Sequence, residues 1–307
     1  MVTDSQHIPS HADGPPGAAP RPSAAARRSG MHGATPAIAR SLAYRFVHAG
    51  ASVALIDSEL RRAEKAFHDV ASRLQNGRGA PGELAQRIEI GQDLETLNRQ
   101  SIVFHVPSRQ ASPEVITREI QHIESILSAE PPIVTMLHDS EQAAAITPNV
   151  EGNARLFAMH IPLPRFPVPF GQLVHGQAPS SAAHQIVRDV LESIGVTPVE
   201  TPHALGGLLL DRQFIPVLNE ACRLLRASEA SIEALDRGFP IPWLMHLGPL
   251  QAADLLGIDQ VISTGRVLTT LTGDSRFDPH PLLLSLEDRG YLGWKNGRGF
   301  YDYALAD

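Results

Sequence analysis

Residues 34–57, ATPAIARSLAYRFVHAGASVALID, decide the fold. Leu42, Ala43, Phe46 and Val47 share one face at helical spacing, and Gly50 stands where a helix C-cap belongs. Val53, Ala54, Leu55 and Ile56 then form a short apolar run closing on Asp57. Helix, glycine, buried strand and terminal acid make the second half of a dinucleotide-binding βαβ unit, where an acid about 20 residues past the phosphate loop takes the ribose diol. The first half does not follow the pattern. Counting back from Asp57 puts the loop at Ala34, Thr35, Pro36, Ala37, Ile38 and Ala39, with no glycine in it. Pro36 also lacks an N–H and fixes its own φ. A shifted loop over GMHGAT, using Gly30 and Gly33, needs about four extra residues before Asp57. The preceding AAARRSGMHG carries no apolar run of the kind a buried first strand shows. Asp57 is therefore read either as a ribose ligand or as an acid at a helix N-terminus.

Outward from this stretch, short apolar runs alternate with helical ones. SIVFHV (101–106), PIVTML (132–137), LFAMHI (156–161), FGQLVHG (170–176) and VTPVET (196–201) read as strands. ELRRAEKAFHDVASRL, PEVITREIQHIESIL and QIVRDVLESIG read as helices between them. Strands joined by helices imply a parallel sheet covered on both faces. From about Ala204 only helical patterns remain, opening with DRQFIPVLNEACRLLRA. The predicted architecture is a Rossmann-type α/β domain over residues 31–203, followed by an all-α domain over 204–307. Residues 1–30, rich in Pro, Ala, Gly and Ser, are expected to form a disordered tail.

The chain has 307 residues, of which 43% are hydrophobic and 19% charged, and its net charge of −7 offers no basic field for nucleic acid or anionic membrane. No apolar run approaches the roughly 18 residues of a membrane span. A single cysteine, Cys222, gives no disulfide framework and fits a reducing cytoplasm. It lies on the apolar side of a helix and is expected to be buried and inert. The 14 histidines show no HExxH spacing, so no metal site is predicted. His105, at a strand end, is expected to be a surface residue.

GPLQAADLLGID (248–259), GWKNGRGFYDY (293–303) and DRQFIPVLNEACRLL (211–225) resemble signature segments of the 3-hydroxyacyl-CoA dehydrogenase family. With GASVALID and LFAMHIP, the resemblance runs collinearly from about residue 34 to 303. It implies NAD as cofactor, a 3-hydroxyacyl thioester on CoA or a carrier protein as substrate, and a homodimer built by the helical domain. The two C-terminal segments are read physically as structural. Their glycines permit turns, their aromatic residues anchor a terminus, and Ala252 and Ala253 allow close helix contacts.

The resemblance also implies a catalytic histidine after a strand and a glutamate closing an L-V-E triplet. The imidazole takes the hydroxyl proton as hydride leaves, and the carboxylate steadies the imidazolium. His160 matches the histidine in FAMHIP. His175, closing LVH, is placed where the glutamate belongs, with Glu200 or Asp211 as substitute acids. Asp211 also stands where the family has a substrate-side asparagine, and Gln142 where it has a serine. In the cofactor loop, Ala34, Pro36 and Ala39 replace the glycines. Losing two or three charge-assisted hydrogen bonds there predicts NADH binding no tighter than about 1 mM. Three readings remain open at this point. They are oxidoreduction of a 3-hydroxyacyl thioester, non-redox acid–base chemistry on such a thioester through His160, and a non-catalytic dimer.

Overall fold

The computed structural model describes residues 28–33, 37–75, 86–128, 130–161, 170–176, 179–201, 207–240 and 247–303. Eight strands form one sheet: β1 (Arg28–His32), β2 (Ser52–Ile56), β3 (Ile88–Gly91), β4 (Ile102–His105), β5 (Ile133–Leu137), β6 (Leu156–His160), β7 (Phe170–His175) and β8 (Thr197–Thr201). Their order is β3-β2-β1-β4-β5-β6-β7-β8. Every pair is parallel except β6 and β7, which run antiparallel.

The first strand corrects two expectations. Arg28, Ser29 and Gly30 belong to β1, in the middle of the sheet between β2 and β4, and not to a tail. RSGMH makes a buried strand with one large apolar residue because its neighbours leave no room for more. A Cβ on Gly30 would lie 2.6 Å from Leu97 Cδ2 and 2.9 Å from Gln100 Cγ. Met31 and Ser29 are both fully buried.

Five helices cover the sheet: α1 (Ala37–His48), α2 (Leu60–Gln75), α3 (Pro113–Ile126), α4 (Ser140–Glu151) and α5 (Ser181–Ser193). Because strand side chains alternate, Met31, Leu55, Phe104, Met136 and Phe157 meet α1, α2 and α5 on one face. Ala54, Val103, Ile133 and Ala158 meet α3 and α4 on the other. The pattern read from residues 41–57 is realised, with Leu42, Ala43, Phe46 and Val47 buried on α1. His105 is not a surface residue. It is fully buried, and its Nε2 lies 2.9 Å from Glu119 Oε2.

Beyond the sheet, the described residues carry five more α-helices: α6 (Leu209–Arg226), α7 (Ile232–Gly238), α8 (Pro249–Leu256), α9 (Ile258–Thr272) and α10 (Pro281–Asp288). Phe214, Leu218, Cys222, Ala252, Ala253, Ile262 and Leu268 form their core. Two buried carboxylates hold the end of this region. Asp254 accepts from the Phe300 and Tyr301 N–H groups, each at 2.9 Å, and from the Tyr303 hydroxyl at 3.0 Å. Asp236 accepts from Leu250 N–H, Gln251 N–H and the Tyr301 hydroxyl at 2.8–2.9 Å. The glycines of GWKNGRGFYDY serve this packing, since a Cβ on Gly299 would sit 1.9 Å from Asp254 Oδ1. Among the described residues no helix is long and apolar enough to cross a membrane.

Candidate active site

The carboxyl ends of β1, β4, β5 and β6 face the helices that follow the sheet. A cleft of about 180 Å³ opens there, lined by His160, Ile161, Leu137, His138, Asp139 and Arg109 from the sheet side. Ile38 of α1 reaches it, and α6, α8 and α9 close it with Asp211, Phe214, Leu256, Gln260 and Thr264 among others. Its inner wall is apolar, with polar groups converging at the sheet edge, as small-molecule sites are built.

His160 is the last residue of β6. Its Nδ1 lies 3.1 Å from the Leu137 carbonyl on the neighbouring strand, to which an N–H there donates. That hydrogen bond fixes the neutral ring in the tautomer whose Nε2 carries the lone pair. Asp211, in the first turn of α6, lines the same cleft. Burial pushes its carboxyl above the usual carboxylate range, while His160 and the Ser140 hydroxyl pull it back down. Ser140 Oγ donates to Asp211 Oδ2 at 2.7 Å and accepts from Leu208 N–H at 2.9 Å. Of the two substitute acids considered for His160, Asp211 faces it and Glu200 does not.

The placement of His175 is corrected. In the antiparallel β6–β7 pair, His160 stands opposite Gln172, and His175 stands opposite Phe157. Three positions along a strand carry a side chain to the other face. His175 therefore points away from the cleft, and the two histidines share no cavity. Gln172 occupies the place where a carboxylate opposite His160 was expected. It is buried, its Oε1 accepts from Leu209 N–H at 2.8 Å, and its Nε2 donates to Thr201 Oγ1 at 3.2 Å. The signal that finds it is the period of two along β7.

Gln142 is also displaced from its expected role. It is buried in the first turn of α4 and does not line the cleft. Asp139 caps α4 by accepting from Gln142 N–H at 2.9 Å, and Gln142 Oε1 accepts from His138 N–H at 3.1 Å. Gln142 is a positioning residue for the turn that carries His138 and Asp139. His138 donates from Nε2 to the Pro107 carbonyl at 2.9 Å, and burial lowers its pKa.

At the other end of the crevice, β1 and β4 diverge to opposite sides, the switch point where such sheets take a dinucleotide. Gly33 follows β1 with φ of +89°, and a Cβ there would lie 2.1 Å from the Val106 carbonyl oxygen. Glycine alone fits this turn. Ala34 and Pro36 lie outside the described residues. Ala39 is fully buried in α1 against the sheet core, where a small residue lets helix and strands approach. Asp57 follows β2 and is buried. Its Oδ1 accepts from Glu59 N–H at 3.1 Å and lies 3.9 Å from Arg62.

Comparison with known proteins adds to this geometry. Residues 207–303 match the model of the 3-hydroxyacyl-CoA dehydrogenase C-terminal domain. A probable 3-hydroxybutyryl-CoA dehydrogenase of Bacillus subtilis is 28% identical over 252 residues, covering 80% of this chain and 85% of its own. A probable 3-hydroxybutyryl-CoA dehydrogenase of Deinococcus radiodurans is 35% identical over 140 residues, 45% of this chain and 50% of the relative. The crystal structure of (S)-3-hydroxybutyryl-CoA dehydrogenase from Ralstonia eutropha superposes with a TM-score of 0.76 at 25% identity, covering 90% of this chain and 99% of that one.

Proposed function

We propose that the chain, similar to 3-hydroxyacyl-CoA dehydrogenases over most of its length, is an NAD-linked oxidoreductase of a 3-hydroxyacyl thioester, carried on CoA or a carrier protein. The observation that carries this reading is the pairing of His160 and Asp211 in one cleft at the carboxyl edge of the sheet. His160 Nε2 takes the C3 hydroxyl proton, since Nδ1 is engaged by the Leu137 carbonyl. Asp211, held by Ser140, supplies the negative charge that steadies the imidazolium, the role a carboxylate at Gln172 would otherwise have. The apolar wall of Phe214, Leu256 and Val261 takes the acyl chain and excludes water.

When bound, NAD supplies the acceptor for the C3 hydride. Gly33, the N-terminus of α1 and Asp57 are the residues that would hold it. The Gly33 turn beside the N-terminus of α1 supports this fit. The helical region is proposed to form a homodimer, and the lone buried thiol suits a reducing compartment such as the cytoplasm.

One observation favours a second reading. The neutral amide of Gln172 opposite His160 suits acid–base chemistry on the thioester without hydride transfer. Absorbance of NADH with acetoacetyl-CoA separates the two. The first reading expects turnover that falls by about 10²–10⁴-fold in His160→Asn. It also expects a smaller loss with a shifted pH profile in Asp211→Asn. Turnover indifferent to His160→Asn would sink the assignment of the base. Absence of any NADH binding, with His160-dependent proton exchange at C2 of the thioester, would establish the second reading instead.

A further inference from the structure

Three polar side chains converge at the opposite end of the sheet from the cleft, on the opposite face. His175 closes β7, His184 lies near the start of α5, and Glu200 lies on β8. One β–α–β unit thus supplies all three. Their ligand atoms all lie within 4.8 Å of one another. Glu200 Oε2 is 3.1 Å from His184 Nε2 and 3.8 Å from His175 Nε2.

The surroundings orient these atoms inward. His175 Nδ1 lies 2.7 Å from the Gly176 carbonyl and donates to it, which leaves the Nε2 lone pair facing the cluster. A backbone carbonyl on the far nitrogen is the usual outer support of a metal-bound histidine. Phe157 stacks on His184 with the planes 9° apart and fixes the ring. Arg188, one helical turn beyond His184, takes Glu200 Oε1 and leaves Oε2 to the imidazoles. A tetrahedral ion with bonds of about 2.0–2.2 Å spaces its ligands about 3.3–3.6 Å apart. The observed spacings surround those values, and closure needs shifts of roughly 1 Å.

We propose that His175 Nε2, His184 Nε2 and Glu200 Oε2 form a site for one divalent transition-metal ion of the zinc class, with water completing the shell. Two imidazoles and a single carboxylate select zinc, cobalt, nickel or copper over magnesium and calcium. All three side chains are partly exposed, so the ion has a path from solvent. Bound there, it ties the edge strand β8 and α5 to β7. The reaction proposed for the cleft does not enter this inference.

The test uses the full chain, freed of metal by a chelator and desalted. ZnCl2 is titrated by calorimetry and CoCl2 by visible absorption at about pH 7.5. One ion per chain is expected, with a dissociation constant on the order of 1–10 µM and cobalt bands of four- or five-coordination. His175→Ala, His184→Ala and Glu200→Gln should each weaken binding at least tenfold. Zinc should raise the Tm of the native chain and leave that of the variants unmoved. If His175→Ala does not fold, His184→Asn at the more exposed ring carries the same expectation. Lack of saturable binding below about 100 µM, or undiminished binding in the folded variants, overturns the site.

Discussion

Deleting residues 1–30 tests the reassigned first strand. The cut removes Arg28, Ser29 and Gly30 from a five-residue strand. These residues pair with Ser52, Val53 and Ala54 on one side, and Ser29 and Gly30 pair with Ile102 and Val103 on the other. Ser101 N–H also loses the Arg28 carbonyl, its acceptor at 3.0 Å. Val53, Ala54, Ile102 and Val103 are at most 2% exposed, so water does not replace the lost partners without opening the sheet. At about 1–3 kcal/mol for each buried group left unpaired, three or four such groups cost on the order of 3–12 kcal/mol. That approaches the whole stability of a typical domain, about 5–15 kcal/mol. Urea unfolding followed by far-UV circular dichroism should show the 1–30 deletion unfolded or greatly weakened. A deletion of 1–20, which spares the strand, should keep the native midpoint. An unchanged midpoint in the longer deletion would refute the placement of β1.

Gly33→Ala puts a methyl 2.1 Å from the Val106 carbonyl at a φ of +89°. It should destabilise by about 1–3 kcal/mol and weaken NADH binding at least tenfold in a fluorescence titration. Burial first, then the neighbouring His105, lowers the pKa of His32 to about 4 from 6.5. The unfolded chain then binds the proton more readily than the folded one. This contribution is complete above about pH 6.5 and drains away as pH falls toward 4, by on the order of 3 kcal/mol. Urea midpoints across that range should fall less steeply in His32→Gln than in the native chain, and equal slopes would remove His32 from the account. Burial pushes the Cys222 thiol up to about 12. A thiol reagent at neutral pH should leave the folded chain unlabelled and label it fully in denaturant.

Most of the sheet was legible because its strands are apolar on both faces, as in VALI and PIVTML. β1 was not, since RSGMH gives no hydropathy signal and its burial depends on Leu97 and Gln100, about 70 residues away. His160 was found through the family resemblance of FAMHIP, and the apolar run before it marks the strand that it ends. Gln172 was missed because matching a triplet ignores which face a residue occupies, whereas the register of β7 against β6 specifies it. Asp211 was named as one of two acids that nothing local could separate. Only the docking of α6 onto Ser140 decides between it and Glu200. The grouping of His175, His184 and Glu200 has no spacing motif, since each residue comes from a different element.

Asp254 and Asp236 impose an order on biosynthesis. Asp254 waits for a backbone donor 46 residues downstream, and Asp236 for a hydroxyl 65 residues downstream. Until residues 300–303 arrive, a folded helical core buries Asp254 without its donors and leaves Asp236 with two of its three, a costly arrangement for Asp254 above all. A nascent chain therefore does not lay down these helices one after another as it emerges. They consolidate together once that late segment closes over them. A copy ending before Gly299 leaves Asp254 buried without its three donors and uncovers an apolar face, the features by which a cell's proteases and chaperones tell failed products from finished ones.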